Sequence, residues 1–238
     1  MSKDLPAALP SRGVRGDPAP GLDRMRAVLL LAGAASIPVG LLLPAHWGWE
    51  NSWIENLQVL ILLLGFSCAA MLLRRSPGRR DRLLWLGIAP VWLLVAAREL
   101  SWGAVFAEPL AFTAEGPQFS SNTLWFKPYV YGLAGAALGT CAGLLAAARL
   151  DRVIGQMLRH GAFPWAEALV VLLAAMGSSL AEGHLGWDAN ALGDQAQVLE
   201  ELLELVGYMA LVLAQARVAW SLRSTAQEDV RSGRGTRK

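Results

Sequence analysis

The chain has 238 residues, 54% of them hydrophobic and only 17% charged, with a mean hydropathy of +0.38. A soluble globular domain carries roughly 25% charged residues, so charge is depleted here and apolar residues gather into long runs. The net charge of +2 comes with basic residues in short clusters between those runs, which excludes a nucleic-acid groove.

Residues 1–26 are rich in Pro, Gly, Ala and charge, and lack a short apolar core followed by a cleavage site. They read as a disordered cytoplasmic tail and not as a secretory signal. Met25 is an alternative start to Met1. Six apolar runs follow, at 27–43, 53–73, 83–106, 128–148, 163–180 and 198–221. A run of about 20 apolar residues crosses a hydrocarbon core of roughly 30 Å. Backbone groups in hydrocarbon find no water to bond, so each span is expected to be helical. No alternating strand pattern supports a barrel. The expected fold is an all-α, six-helix integral membrane bundle over 27–221, with a basic cytoplasmic tail at 222–238. Cys68 and Cys141 lie inside spans and form no CxxC or Cys/His set, so they read as small packing residues.

Cations set the orientation. Both tails, the last counted from Arg217 at the end of span six, the connection after span two (Arg74 to Arg82) and the one after span four (Arg149 to Arg159) together hold 19 of the 21 Lys and Arg. Lys127 lies in an opposite loop and Arg98 within a span. The positive-inside rule then predicts N-in/C-in topology in a bacterial inner (plasma) membrane. Trp47, Trp49, Trp53, Trp125 and Trp187 are expected at the outer interface, and Trp85, Trp165 and Trp220 at the inner one. Pro38 and Pro90 are expected to kink spans one and three. Gly135, Gly139 and Gly143 form a small-xxx-small face on span four. Packing within the chain is the expected use of that face; the alternative is a homodimer or another membrane-protein partner.

Ionisable groups inside a membrane are expensive, and by default they mark function. Here they collect at one end: Glu55, Asn56 and Gln58 on span two; Arg98, Glu99, Ser101 and Trp102 on span three; Ser178, Ser179 and Glu182 closing span five, then His184; and Glu200, Glu201, Glu204 and Tyr208 on span six. Gln197, Glu201, Glu204 and Tyr208 share one helix face, as do Asn51, Glu55 and Gln58. These faces should converge on a polar pocket open to the outer side, with Arg98 its fixed cation. Five carboxylates around one arginine demand either protonation or a bound cation. Oxygen ligands point to Mg or Ca, with Glu55, Glu99, Glu201 and Glu204 as the expected set, and three histidines are too few for zinc. Each feature also has a plain structural reading. Glu167 and Glu200 can serve helix N-termini, Arg98–Glu99 can be a buried pair, His184 a surface residue and Trp102 an interface aromatic.

Glu55-Asn56-Leu57-Gln58, Arg98-Glu99-Leu100-Ser101-Trp102-Gly103 and Glu200-Glu201-Leu202-Leu203-Glu204 together form a pattern. It resembles a group of bacterial multi-span membrane proteins with an E-x-L-Q start, an E-E-I-S-W-G-Q block and a late paired-glutamate helix. The likeness covers about half the chain. Arg98 replaces the first glutamate of the block, Ala104 its glutamine, and an Asn-rich block is reduced to Ser121-Asn122-Thr123-Leu124. The resemblance implies the pocket and names no reaction.

Three readings stand. In a lipid-directed enzyme at the outer leaflet, Glu99, Glu204 and Glu201 supply acid/base groups or metal ligands and Arg98 holds an anionic group. In an accessory or assembly subunit, the cluster fixes packing or a partner. In a cation or proton transporter it would be a binding site, but the sequence shows no inner relay beyond Glu167 and no inverted repeat.

Overall fold

The computed structural model describes residues 20–113, 116–183, 193 and 195–231, and these are mostly helical. The helices are α1 (Pro20–Leu42), α2 (Trp53–Arg75), α3 (Arg79–Glu99), α4 (Lys127–Ala147), α5 (Leu150–Arg159), α6 (Trp165–Ala181) and α7 (Gln195–Arg231). Four of them, α1, α2, α4 and α7, are long and apolar enough to cross a membrane. The other two expected spans are weaker. Arg79, Arg80, Asp81 and Arg82 open α3 and Arg98 and Glu99 close it, leaving only residues 83–97 uncharged. The 17 residues of α6 reach about 25 Å, short of the roughly 30 Å core.

Element ends differ from the expected spans for local reasons. Helix α1 begins at Pro20, so Arg24, Met25 and Arg26 are helical and not part of a disordered tail. Likewise α7 runs on to Arg231, through half of the stretch read as the C-terminal tail. The rest of both tails lies outside the described residues, as do Trp187 and His184. Helix α2 stops where Ser76-Pro77-Gly78 follows, because Pro77 holds Ser76 in an extended conformation (φ −76°, ψ 118°). Helix α3 ends at Glu99, seven residues before the predicted end, since Ser101, Trp102 and Gly103 all take positive φ (45°, 59° and 97°). Arg149 is also left-handed, and Arg80 caps the end of α4 by donating to the carbonyls of Ala148 (2.9 Å) and Arg149 (3.2 Å). Pro38 and Pro90 sit inside α1 and α3.

Helix α7 is the hub, packed against α1, α2 and α6, while α3 lies between α2 and α4. Close approach is made by glycines. Gly33 and Gly40 bring α1 against Val206 and Leu199 of α7, and Gly65 of α2 seats the Trp92 ring of α3. One apolar cluster, with Leu62, Leu84, Trp85 and Trp92, joins α2, α3 and α7; another, with Leu29, Val206 and Leu213, joins α1 and α7. Trp85, expected in an interfacial belt, is buried, because its side of α3 faces this core. Cys141 is buried, Cys68 half-buried, and both are free thiols. Outward faces carry bare leucines such as Leu31, Leu42 and Leu133, as a lipid-facing surface does.

The expected use of the α4 glycines inside the chain is not what forms. A Cβ at Gly135, Gly139 or Gly143 would meet nothing within 4 Å among the described residues. The face that α4 turns to α3 carries Cys141, against Gly87, and Cys141 is two residues, about 200° around the helix, from Gly139 and Gly143.

In the long connection between α3 and α4 a short hairpin forms between β1 (Ala111–Thr113) and β2 (Gly116–Gln118), antiparallel with Phe112 opposite Pro117. It is tied back to the segment after α1: Glu50 accepts from the Phe119 backbone N–H (2.7 Å), and Gly116, at φ 96°, lies against the Trp49 ring.

Candidate functional site

The start of α2, the end of α3, the end of α6 and the start of α7 meet at one end of the bundle. Each contributes polar residues. Glu55 and Gln58, one turn apart on α2, are both buried. Asn51, just before the helix at φ 59°, turns its backbone N–H onto the Glu55 carboxylate. Gln58 reaches across to α7, its Nε2 donating to the Glu201 carbonyl and to Glu201 Oε2, both at 2.8 Å. The Tyr208 hydroxyl donates to Glu99 Oε1 (2.8 Å), and Ser178 on α6 donates to Glu204 Oε1 (3.2 Å).

Arg98 supplies the positive charge. Its Nη1 is 3.0 Å from Glu99 Oε1 and 4.0 Å from Glu204 Oε1, while 59% of its side chain stays exposed. Among the described residues it is the one cation paired with these carboxylates. Glu182, Glu200 and Glu204 place carboxylate oxygens within 4.8 Å of one another. Hard oxygen donors at this spacing suit Mg or Ca. This trio is not the set expected from sequence. It keeps Glu204, while Glu99 is engaged by Arg98 and Tyr208, Glu201 by Gln58 and Glu55 by Asn51. Glu200 therefore belongs to the pocket as well as to the first turns of α7.

Gln58 Oε1 is the only buried side-chain oxygen or nitrogen among the described residues with no hydrogen-bond partner. Its amide nitrogen is committed to Glu201, so the oxygen is a spare buried acceptor. A buried acceptor left this way costs about 1–3 kcal/mol unless a donor or cation reaches it.

The left-handed Ser101-Trp102-Gly103 turn ends α3 on Arg98 and Glu99. Left-handed φ costs on the order of 1–3 kcal/mol for a non-glycine residue, and such strain collects at functional sites. The Ser-Trp-Gly stretch that carries the sequence likeness is thus the turn that aims the Arg98–Glu99 pair. Trp102 itself leaves the helix, so it does not share a face of α3 with Glu99. Asn56 also stays out of the pocket, donating to Ser52 O (2.7 Å) on the exposed side.

Sequence reasoning missed a second charged cluster at the opposite end. Glu167, with no exposed side-chain surface, accepts from Arg26 Nε and Nη2 (2.9 Å each) and from Arg217 Nε (2.6 Å). Arg217 also bonds Asp23 Oδ1 (2.8 Å) and the Leu22 carbonyl (3.0 Å). Glu167 is therefore an ion-pair hub for α1, α6 and α7, beyond any service to the start of its own helix. The two arginines had been counted only as topology signals in the tails. Between the two ends, Gln215 on α7 accepts from Trp92 Nε1 (2.7 Å) and donates to the Gly65 carbonyl (3.0 Å).

No protein-family model, curated protein or solved structure matches the chain. The functional reading therefore rests on this geometry and on the residues themselves.

Proposed function

We propose that the chain is a six-span protein of the bacterial inner membrane, N-in/C-in, whose outer pocket belongs to an enzyme acting on a lipid or lipid-linked substrate. One observation carries this: carboxylates from α2, α3, α7 and the residue that caps α6 gather at one end of the bundle, where the half-exposed Arg98 pairs with two of them. The basic clusters at the opposite end of the helices support the orientation, and the bare apolar faces support the membrane setting.

In this reading Arg98, anchored by Glu99 and still open to solvent, binds an anionic group such as phosphate. Glu204, held by Ser178 and within reach of Arg98, is the group placed to move a proton; Glu99 orients Arg98 and, through Tyr208, is fixed to α7. Glu201, one turn before Glu204 on α7, is held in position by Gln58 as a second acid/base group. A Mg or Ca ion at Glu182, Glu200 and Glu204 would contribute Lewis-acid charge stabilisation when bound.

A second reading is favoured by a specific observation. Many of the polar atoms are already satisfied inside the protein, as in Gln58–Glu201, Tyr208–Glu99 and Ser178–Glu204. A cluster so internally bonded also suits an accessory or assembly subunit, and the unpartnered α4 glycine face leaves a surface for a membrane partner. Transport has less support, because the opposite-end carboxylate Glu167 is clamped by two arginines.

The test is a lipid assay. Purified protein is placed in phospholipid vesicles with Mg or Ca, and products are followed by mass spectrometry for wild type, Glu204→Gln and Arg98→Gln. The expected result is a product that falls at least tenfold in both variants while they remain folded. If no product forms, and Glu204→Gln melts at or above the wild-type temperature, the enzyme reading fails and the packing role stands.

A further inference from the structure

We infer that the arginine-rich end of the protein holds an anionic phospholipid, with one acyl chain in a groove between α1, α2 and α7 and its phosphate on Arg223. The groove has a volume of about 460 Å³ and is lined by Leu22 and Met25 of α1, Cys68 and Met71 of α2, and Val212 and Trp220 of α7. At roughly 30 Å³ for a water-sized group, a space of this volume takes one fatty chain and not two.

Its lining specifies an apolar occupant. Among the described residues that line it, Gln215 is the one polar side chain besides Arg223 and the Trp220 ring, and its amide is used up by Trp92 and the Gly65 carbonyl. A sugar, nucleotide or peptide would find almost nothing to bond along the groove. An acyl chain needs nothing.

The charge at the mouth specifies the headgroup. Arg223 lies at the end of the groove lining. Arg75 continues the α2 stripe of Cys68 and Met71, one turn beyond Met71. Among the described residues neither arginine has a carboxylate partner, although Arg26 and Arg217 close by are both paired. Arg223 at the end of an apolar slot between membrane helices, with Arg75 one turn past the lining of α2, makes a charge-complementary seat for a lipid phosphate. Trp220, half-exposed beside them, has the amphipathic ring that favours headgroup depth. This site is at the opposite end from the carboxylate pocket and does not depend on the enzyme reading.

The experiment is native mass spectrometry of the full-length protein in detergent, titrated with phosphatidylglycerol or phosphatidylcholine. The expected result is one phosphatidylglycerol held in preference to phosphatidylcholine. Arg223→Gln should weaken it about fivefold, the share of one arginine near a lipid phosphate. Arg159→Gln, a control in α5 at the same end, should not. Ala216→Phe, which fills the groove, should abolish it, and Met71→Trp blocks the same space from α2 if the first variant does not fold. Equal binding of the two lipids, equal losses in Arg223→Gln and Arg159→Gln, or undiminished binding in both filled variants would each overturn the inference. So would a dimer that Ala216→Phe dissociates, which would assign the groove to a second copy of the chain.

Discussion

Replacing Glu167 by Gln should destabilise the protein more than any single change in the carboxylate pocket at the other end of the bundle. Glu167 is fully buried and accepts three charge-assisted hydrogen bonds, two from Arg26 and one from Arg217. Hydrogen bonds to charged groups contribute about 1.5–3 kcal/mol each in net terms. The sum must be discounted, because Arg26 is 32% exposed and can turn to water or lipid phosphate when its partner is lost. Arg217 is 14% exposed and keeps Asp23, so it is only partly stranded. A glutamine also retains one acceptor oxygen. The expected loss is therefore about 3 kcal/mol, at the low end of what breaking a buried ion pair costs. Reversible unfolding in mixed micelles, titrated with a denaturing detergent, measures it. A double-mutant cycle with Arg217→Gln should show coupling of about 1–2 kcal/mol, since the pair shares one network. A Glu167→Gln variant within 0.5 kcal/mol of wild type (a threshold of about the scatter of such cycles), or strictly additive losses, would refute the idea that this cluster ties α1 and α6 to α7.

Two further outcomes follow from the packing. Gln215→Leu should cost about 1 kcal/mol, the scale of interhelical hydrogen bonds in membranes. It leaves Trp92 Nε1 without its acceptor, so a change in tryptophan emission should accompany the loss in unfolding measurements. Gly65→Ala and Gly139→Ala form a contrasting pair: the first puts a methyl 2.6 Å from the Trp92 ring and the second meets nothing within 4 Å. The expected costs are about 1–3 kcal/mol for overpacking at Gly65 and, at Gly139, no penalty, because alanine is the better helix former by up to about 1 kcal/mol. Melting temperatures of the two variants check this, and similar values would show that α2 and α3 are not packed as described.

The amino-acid sequence by itself marked the long apolar runs as helical and singled out most of the polar residues that the structure gathers at one end of the bundle. Both follow from local rules. Twenty apolar residues in a row can only be helical in hydrocarbon, and the spacing of Glu201, Glu204 and Tyr208 puts them on one face wherever α7 sits. Nothing in that spacing shows which neighbour the face meets. Only the tertiary structure decided that Gln58 bonds Glu201, that Tyr208 bonds Glu99, and that Glu200 joins Glu182 and Glu204. It also gave Arg26 and Arg217 to Glu167, pairings separated by 141 and 50 residues, where sequence showed only tail charges. The Ser101-Trp102-Gly103 turn escaped notice because it is a matter of backbone conformation, and hydropathy carries no information on φ. The α4 glycines mark the same limit. Their four-residue spacing makes a face, but α3 packs against the opposite side of α4, so which side of a helix is used is a property of the whole fold.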